Sequence, residues 1–185
     1  MKALTLSQPF ATLVAIGAKR IETRSWSTNY RGPLAIHAAK TIPREYKSLC
    51  NWTVEPFASA LKGVLWDCFP VTMNLFGQEG LGTQYQEYRD KLHLGCVIAI
   101  CELTNCVRVA ESHIPIVVPI DDRIDIRFTQ QFTSIPPRKP EFDFGNYEPG
   151  RYAWILQNIK ILKEPFPIKG MLGLWELNND IEAES

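Results

Sequence analysis

The stretch "IETRSWSTNYRGPLAIHAAK", residues 21–40, reads as two short β-runs around a polar turn. It carries one acid, three cations, two aromatic rings and a histidine. A strand that only packs needs one apolar face and one plain polar face. The first run, Arg20 to Trp26, alternates Ile21, Thr23 and Ser25 with Arg20, Glu22, Arg24 and Trp26. The second face is therefore charged and aromatic, more than packing requires. In the second run, Leu34 to Lys40, both faces are apolar or small: Leu34, Ile36 and Ala38 oppose Ala35, His37 and Ala39. That pattern predicts a strand buried on both sides.

Working outward, Lys2 to Leu6 is a β-compatible run, followed by "SQPFATLVAIGAK". There Ser7 is placed to cap a helix, Pro9 to sit in its first turn and Gly17 to stop it. Phe10, Leu13, Val14 and Ile16 supply its apolar face. Residues 43–65 read as helical, ending in "FASALKGVLW", and 66–93 as a glycine-spaced insertion with a short helix near "TQYQEYRDKL". "GCVIAICEL", residues 95–103, is a continuous apolar strand. Residues 110–150 form a long excursion containing "IPPRKP" and "EFDFGNYEPG". "RYAWILQNIKIL" and "MLGLWEL" close the chain as strands, separated by a turn at "KEPFPIKG". This order predicts an α+β fold: a small, mostly antiparallel barrel with flanking helices and inserted loops.

The chain has 185 residues, 45% of them hydrophobic and 22% charged, which suits one globular domain with insertions. The expectation is a single domain over 1–178, insertions at about 43–93 and 110–150, and an acidic tail at 179–185. Net charge is zero. Its distribution is uneven: Lys2, Lys19, Arg20, Arg24, Arg31, Lys40, Arg44 and Lys47 face only Glu22 and Glu45 in the first 47 residues. A local basic surface on a neutral protein follows. Five cysteines, Cys50, Cys68, Cys96, Cys101 and Cys106, are odd in number and contain no C-x-x-C pair, against a disulfide framework and a zinc ribbon. No apolar run approaches the roughly 20 residues of a membrane helix, and no secretory leader is evident. These features read as a cytoplasmic chain with no membrane partner.

The sequence from Leu6 to Lys40, "LSQPFATLVAIGAKRIETRSWSTNYRGPLAIHAAK", resembles the pattern of the ASCH domain family. That family is a branch of the PUA-like β-barrel superfold with a QPW-like turn, G-x-K-x-x-E-x-R, and Y-R-G before a strand ending H-A-x-K. "GCVIAICEL", "YAWILQN" and "PFPIKGMLGLWEL" look like its later strands. Phe10 stands where many members have tryptophan. The resemblance implies nucleic-acid binding, most often of RNA. It also implies an alternative, since some members act as ribonucleases and a compact one is an amidohydrolase on acetylcytidine. The catalytic lysine of that enzyme matches Lys19, whereas its threonine partner maps to Glu22.

Lys19, Glu22 and Arg24 form the tightest constellation. As a site, Lys19 contacts phosphate or acts as a base that Glu22 orients. As scaffold, they are an exposed ion pair worth under about 1 kcal/mol. Tyr30 and Arg31 offer a ring for stacking and a fork for phosphate, or else simply close the turn. Trp26 belongs with them, being too large to leave in water. His37 reads more readily as a hydrogen-bonded core residue than as a catalyst. Ser7, Gln8 and Lys40 complete the candidate ligand-binding set, with RNA or a nucleotide as partner and with Lys19 and Glu22 as the acid–base pair if the chain is an enzyme. His37, His93 and His113 lack metal-ligand spacing, "DDRIDIR" at 121–127 reads as a half-buried strand, and neither a metal nor a cofactor is expected. Cys96 and Cys101, on opposite faces of one strand, read as core, as does Trp154, kept also as a cleft wall. The aromatics of residues 141–150 support a further reading as a protein-binding adaptor.

Overall fold

The computed structural model describes residues 1–50, 54–65, 92–109 and 140–178. In chain order these form β1 (Lys2–Leu6), α1 (Phe10–Ala15), β2 (Ile21–Arg24), β3 (Gly32–Ala38), 3-10 turns at Arg44–Tyr46 and Ser48–Cys50, and α2 (Phe57–Leu65). There follow β4 (Cys96–Arg108), a 3-10 turn at Glu141–Phe144, β5 (Tyr152–Pro167) and β6 (Leu174–Glu176). The strands hydrogen-bond in the order β2-β5-β4-β3-β1-β6. The expected helix at 83–91, "DDRIDIR", most of the excursion at 110–139, Cys68, His113 and the acidic tail at 179–185 lie outside the described residues.

The α+β class holds, but the sheet is mixed rather than mostly antiparallel. β1 and β3 run parallel, from Lys2 opposite Leu34 to Leu6 opposite Ala38, whereas β6 is antiparallel to β1 and β5 to β2. The physical cause is connection length: α1 and β2 intervene between β1 and β3, enough chain for the crossover that a parallel pair needs.

The chain divides into two compact units. The first comprises 1–19, 33–101 and 158–185. Its β3 is buried on both faces from Leu34 to Ala38, as the apolar pattern predicted. Ala3, Ala35, Val97, Trp175 and Leu177 form one core cluster, against which Leu162, Phe166 and Ile168 pack. Each large aliphatic side chain removed from water in this way contributes about 1.5–3 kcal/mol. Helix α1 buries Ala11, Leu13 and Val14, while Phe10 meets Tyr46 and Phe57 edge-on, centroids 5.1 and 6.0 Å apart.

Three local expectations change in this unit. Pro9, not Ser7, is the N-cap of α1; Gln8 supplies the side-chain acceptor, its Oε1 taking the Thr12 N–H at 3.0 Å. At the other end Gly17 has φ +75° and donates to Val14 O at 2.9 Å, the stop its type predicts. The helix expected over 43–65 is α-helical only from Phe57, because Pro43 and Pro56 break the ladder and 3-10 turns occupy part of the interval. "KEPFPIKG" does not turn the chain at its start: β5 continues to Pro167, its prolines tolerated where a strand need not donate.

The second unit comprises 20–32 and 102–157. Here β2 pairs with the start of β5, Ile21 opposite Ile155 through Arg24 opposite Tyr152. The Thr104 hydroxyl donates to Ile155 O at 3.3 Å, tying β4 to β5. Among the described residues no helix is long and apolar enough to cross a membrane.

Candidate functional site

In the second unit the charged face of the first β-run is divided: Arg20 is exposed, Arg24 and Trp26 are half-buried and Glu22 is buried. Glu22 is only 8% exposed, and Arg24, two residues on and so on the same strand face, places Nε 3.1 Å from its Oε1. A carboxylate this far from water is tolerated only with such a cation or donor beside it. Opposite Glu22 in the ladder stands Trp154, wholly buried. Trp26 meets Trp154 edge-on, centroids 4.7 Å apart, and its carbonyl accepts the Trp154 indole N–H at 3.4 Å. Trp26 therefore covers core, and Trp154 is core.

β2 lies at one end of the strand order, and its outer edge is closed by "EFDFGNYEPG". The Glu141 carboxylate accepts two successive backbone amides, Arg20 N–H at 2.8 Å and Ile21 N–H at 3.0 Å. Asn146 N–H donates to the Thr23 hydroxyl at 3.0 Å, and Arg151 bridges Asn146 O at 3.1 Å and Thr23 O at 3.4 Å. Edge strands are usually covered in this manner, since unpaired amides invite other strands. The aromatics expected to support an adaptor role take part in the same closure. Phe144 is buried, and Phe142 stacks on Tyr147 at 5.4 Å with planes 16° apart.

Tyr147 brings its hydroxyl to a buried position with no hydrogen-bond partner among the described residues. Burial pushes its pKa up, and the negative charges of Glu141 and Glu22 push it further. Gly145 is needed for this placement, because a Cβ there would lie 2.7 Å from the Tyr147 ring and 3.2 Å from Thr23 Cγ2. Sequence reasoning missed Glu141, Asn146, Tyr147 and Arg151. The available signal was the density of polar and aromatic residues in this stretch, which was read for its aromatics alone.

At the turn, Arg31 is exposed but engaged. Its Nη1 donates to Thr28 O at 2.9 Å and Tyr30 O at 2.8 Å, and its Nη2 to Asn105 Oδ1 at 3.2 Å. Tyr30 is half-buried, its N–H held by the Thr28 hydroxyl at 3.1 Å, and its ring would contact any side chain placed at Gly32, where φ is +122°. The geometry closes the turn.

The first unit holds the remaining candidates. Lys19 is 1% exposed, among the largest fully buried side chains, and follows α1 directly, its N–H donating to Leu13 O at 2.9 Å. Gln8 is fully buried with both ends of its amide used, Nε2 donating to His93 O at 2.9 Å. Ser7 is half-buried, and its carbonyl accepts the Ala11 N–H. His37, also 1% exposed, sits 2.9 Å from Ile168 O through Nε2, which must carry the proton because a carbonyl only accepts. Its Nδ1 is buried without a partner among the described residues, covered by Gly170, where a Cβ would fall 2.6 Å away. Burial lowers the His37 pKa, and the bond to Ile168 opposes that shift. Trp175 meets His37 edge-on and donates to the Thr5 hydroxyl at 3.1 Å. His37 is thus a core histidine in its contacts. Lys40 is exposed at the end of β3 and lies across Gly95.

Within the second unit, then, Glu22 and Arg24 pair on one face of β2, at the E-x-R end of the G-x-K-x-x-E-x-R spacing. The family model for the ASCH domain matches residues 4–166. The chain belongs to the ASCH domain family. This ASCH chain is also similar to activating signal cointegrator 1 of Homo sapiens, 24% identical over 180 residues that cover 96% of the chain and 22% of that protein. The Mus musculus protein of the same name is 23% identical with the same coverage. The ASCH chain therefore spans about a fifth of the length of these curated relatives.

Proposed function

We propose that this ASCH chain binds nucleic acid through residues 20–40, with single-stranded RNA or a nucleotide as ligand. ASCH membership supports the class of ligand. The observation that carries the reading is the pairing of buried Glu22 with half-buried Arg24. A carboxylate withdrawn from water on an edge strand and paired with a half-buried guanidinium is a poor way to gain stability, since apolar side chains of similar size do as well or better. Charges held away from water are found where a ligand is recognised more often than in plain scaffold. Lys40, exposed and basic, is suited to phosphate. The free thiols of Cys50, Cys96, Cys101 and Cys106 suit a reducing, cytoplasmic setting.

The test is fluorescence anisotropy with a short labelled RNA at low salt, comparing wild type with Arg24→Ala and Glu22→Gln. Binding by the wild type that falls about tenfold or more in either variant, with folding retained, supports the reading. A wild type that ignores RNA and nucleotides sinks it.

A second reading, hydrolysis of RNA or of a modified cytidine, is favoured by the burial of Lys19, because a lysine held away from water is the kind that serves as a base. Turnover of RNA or acetylated cytidine, abolished by Lys19→Arg and Lys19→Ala while affinity stays within about threefold, would establish the enzyme.

A further inference from the structure

In the first unit the end of β3, the start of β4 and the end of β5 meet at Gly95, whose N–H donates to Ala38 O at 2.9 Å and whose O accepts the Ile168 N–H at 3.1 Å. Two lysines flank this junction. Lys40 lies against Gly95, where a Cβ would be 3.7 Å from its Cβ and Cγ, and Lys169 follows Ile168. Their backbones are about 10 Å apart, two strand spacings. Both side chains are exposed, and among the described residues neither ammonium has a carboxylate or hydrogen-bond partner.

The segment that carries Lys169 is braced. Ile168 O accepts from His37 Nε2 at 2.9 Å, and Gly170 presses on β1 and β3 so closely that a Cβ there would fall 2.4 Å from the His37 ring and 2.9 Å from Thr5 Oγ1. Gly173, at φ +70°, then returns the chain to β6. Between the two glycines the turn presents Met171, 56% exposed, and Leu172, 98% exposed. Single exposed apolar side chains are ordinary, but these two stand together on a braced turn beside the lysines.

Charge and shape together indicate the occupant. Ammonium groups with no described partner fit a polyanion, and an apolar tip beside them fits one that also exposes flat apolar surface. Single-stranded nucleic acid offers both, a phosphate at each nucleotide and base faces released from a duplex. Resting on the nucleic-acid reading, we propose that Lys40, Lys169 and the Met171–Leu172 tip form a contact surface for single-stranded RNA, with the lysines on phosphates and Leu172 against the face of an unstacked base.

The test is fluorescence anisotropy of the full chain with a short fluorescein-labelled RNA of mixed sequence, single-stranded or annealed to its complement, comparing wild type with Lys169→Ala and Leu172→Ser. Both positions are exposed, so the melting temperatures should match wild type. Lys169→Ala should flatten the slope of log affinity against log salt by roughly one unit or less. Leu172→Ser should weaken single-strand binding about fivefold, leaving the slope and the duplex affinity as in wild type. Single-strand binding that both variants retain in full, slope included, overturns this surface and leaves the nucleic-acid reading standing. A loss of affinity accompanied by a lower melting temperature makes the turn structural and also overturns it. A wild type that binds no RNA removes both; if it instead sediments with vesicles of equal parts phosphatidylcholine and phosphatidylserine, and Leu172→Ser does not, the tip belongs to a membrane surface.

Discussion

The Glu141 carboxylate accepts the backbone N–H of Ile21 at 3.0 Å, from 120 residues away in the chain. Its other oxygen takes the N–H of Arg20 at 2.8 Å, so one side chain satisfies two amides at the start of β2. Charge-assisted bonds of this kind are stronger than neutral ones. Glu141→Ala should lower stability by about 1–3 kcal/mol, and Glu141→Gln by less, since an amide oxygen still accepts. Urea denaturation of the three proteins checks the order; an alanine variant as stable as wild type would show that the edge of β2 needs no cover.

His37 predicts an acid-sensitive fold. Its pKa lies below the ordinary 6.5 because it is buried, the Ile168 bond opposing. As pH falls below 6.5 the unfolded chain takes up a proton that folded His37 refuses until its depressed value is reached, so stability is lost on that descent. In His37→Gln the urea midpoint should depend less on pH between about pH 5 and 7.5 than in wild type. His93 and His113 are common to both proteins, so the difference isolates His37. Parallel curves would contradict the assignment.

The thiols predict the opposite limb. Burial pushes Cys50 and Cys101 from 9.0 up to about 12 and raises Cys96 as well. Above pH 9.0 the unfolded chain sheds thiol protons that the folded chain retains, so stability falls as pH climbs from there through about 12. At neutral pH, Cys96→Ser and Cys101→Ser should cost about 1 kcal/mol or more in at least one case, since each puts a hydroxyl where a small apolar group was. Cys101 already directs Sγ to Leu34 O at 3.4 Å, which gives its serine a partner. The larger loss is therefore expected at Cys96, read from denaturation midpoints.

Lys40 and Arg31 separate binding from folding. Lys40 is exposed at the end of β3, whereas the hydrogen bonds of Arg31 close its own turn and reach Asn105. Lys40→Ala should flatten the log–log salt dependence of RNA affinity by roughly one unit or less. Arg31→Ala should leave that slope unchanged and lose about 0.5–1.5 kcal/mol of stability. Salt titrations and melts of the two variants decide it, and a flattened slope in Arg31→Ala would return that residue to the interface.

Local readings succeeded where the deciding physics is local. Alternation put Glu22 and Arg24 on one face of β2, since side chains two apart on a strand always share a face. Apolar residues on both faces of 34–38 marked β3 as fully buried, and Gly17 marked the end of α1 through its freedom at positive φ. The cap of α1 was misjudged by one residue type. Ser7 is the better intrinsic cap, but the longer Gln8 reaches Thr12 N–H while its other end is held by His93, a partner 85 residues away.

By itself, then, the chain order and periodicity determined the α+β class, the positions of β1 to β4, the core character of Cys96, Cys101 and Trp154, and the shared strand face of Glu22 and Arg24. Tertiary structure alone decided three things: that β1 and β3 run parallel, that Glu22 on β2 is buried, and that Glu141 and Asn146 are delivered to the backbone and the Thr23 hydroxyl of that strand. Spacing along a chain specifies which side chains share a face, because the backbone repeat is fixed. It carries no information on which distant segment closes that face. Whether Arg31 meets phosphate or its own turn, and whether a tyrosine hydroxyl is left unpaired, depends on groups brought from far along the chain, and folding chooses among them by the burial and hydrogen bonds they satisfy together.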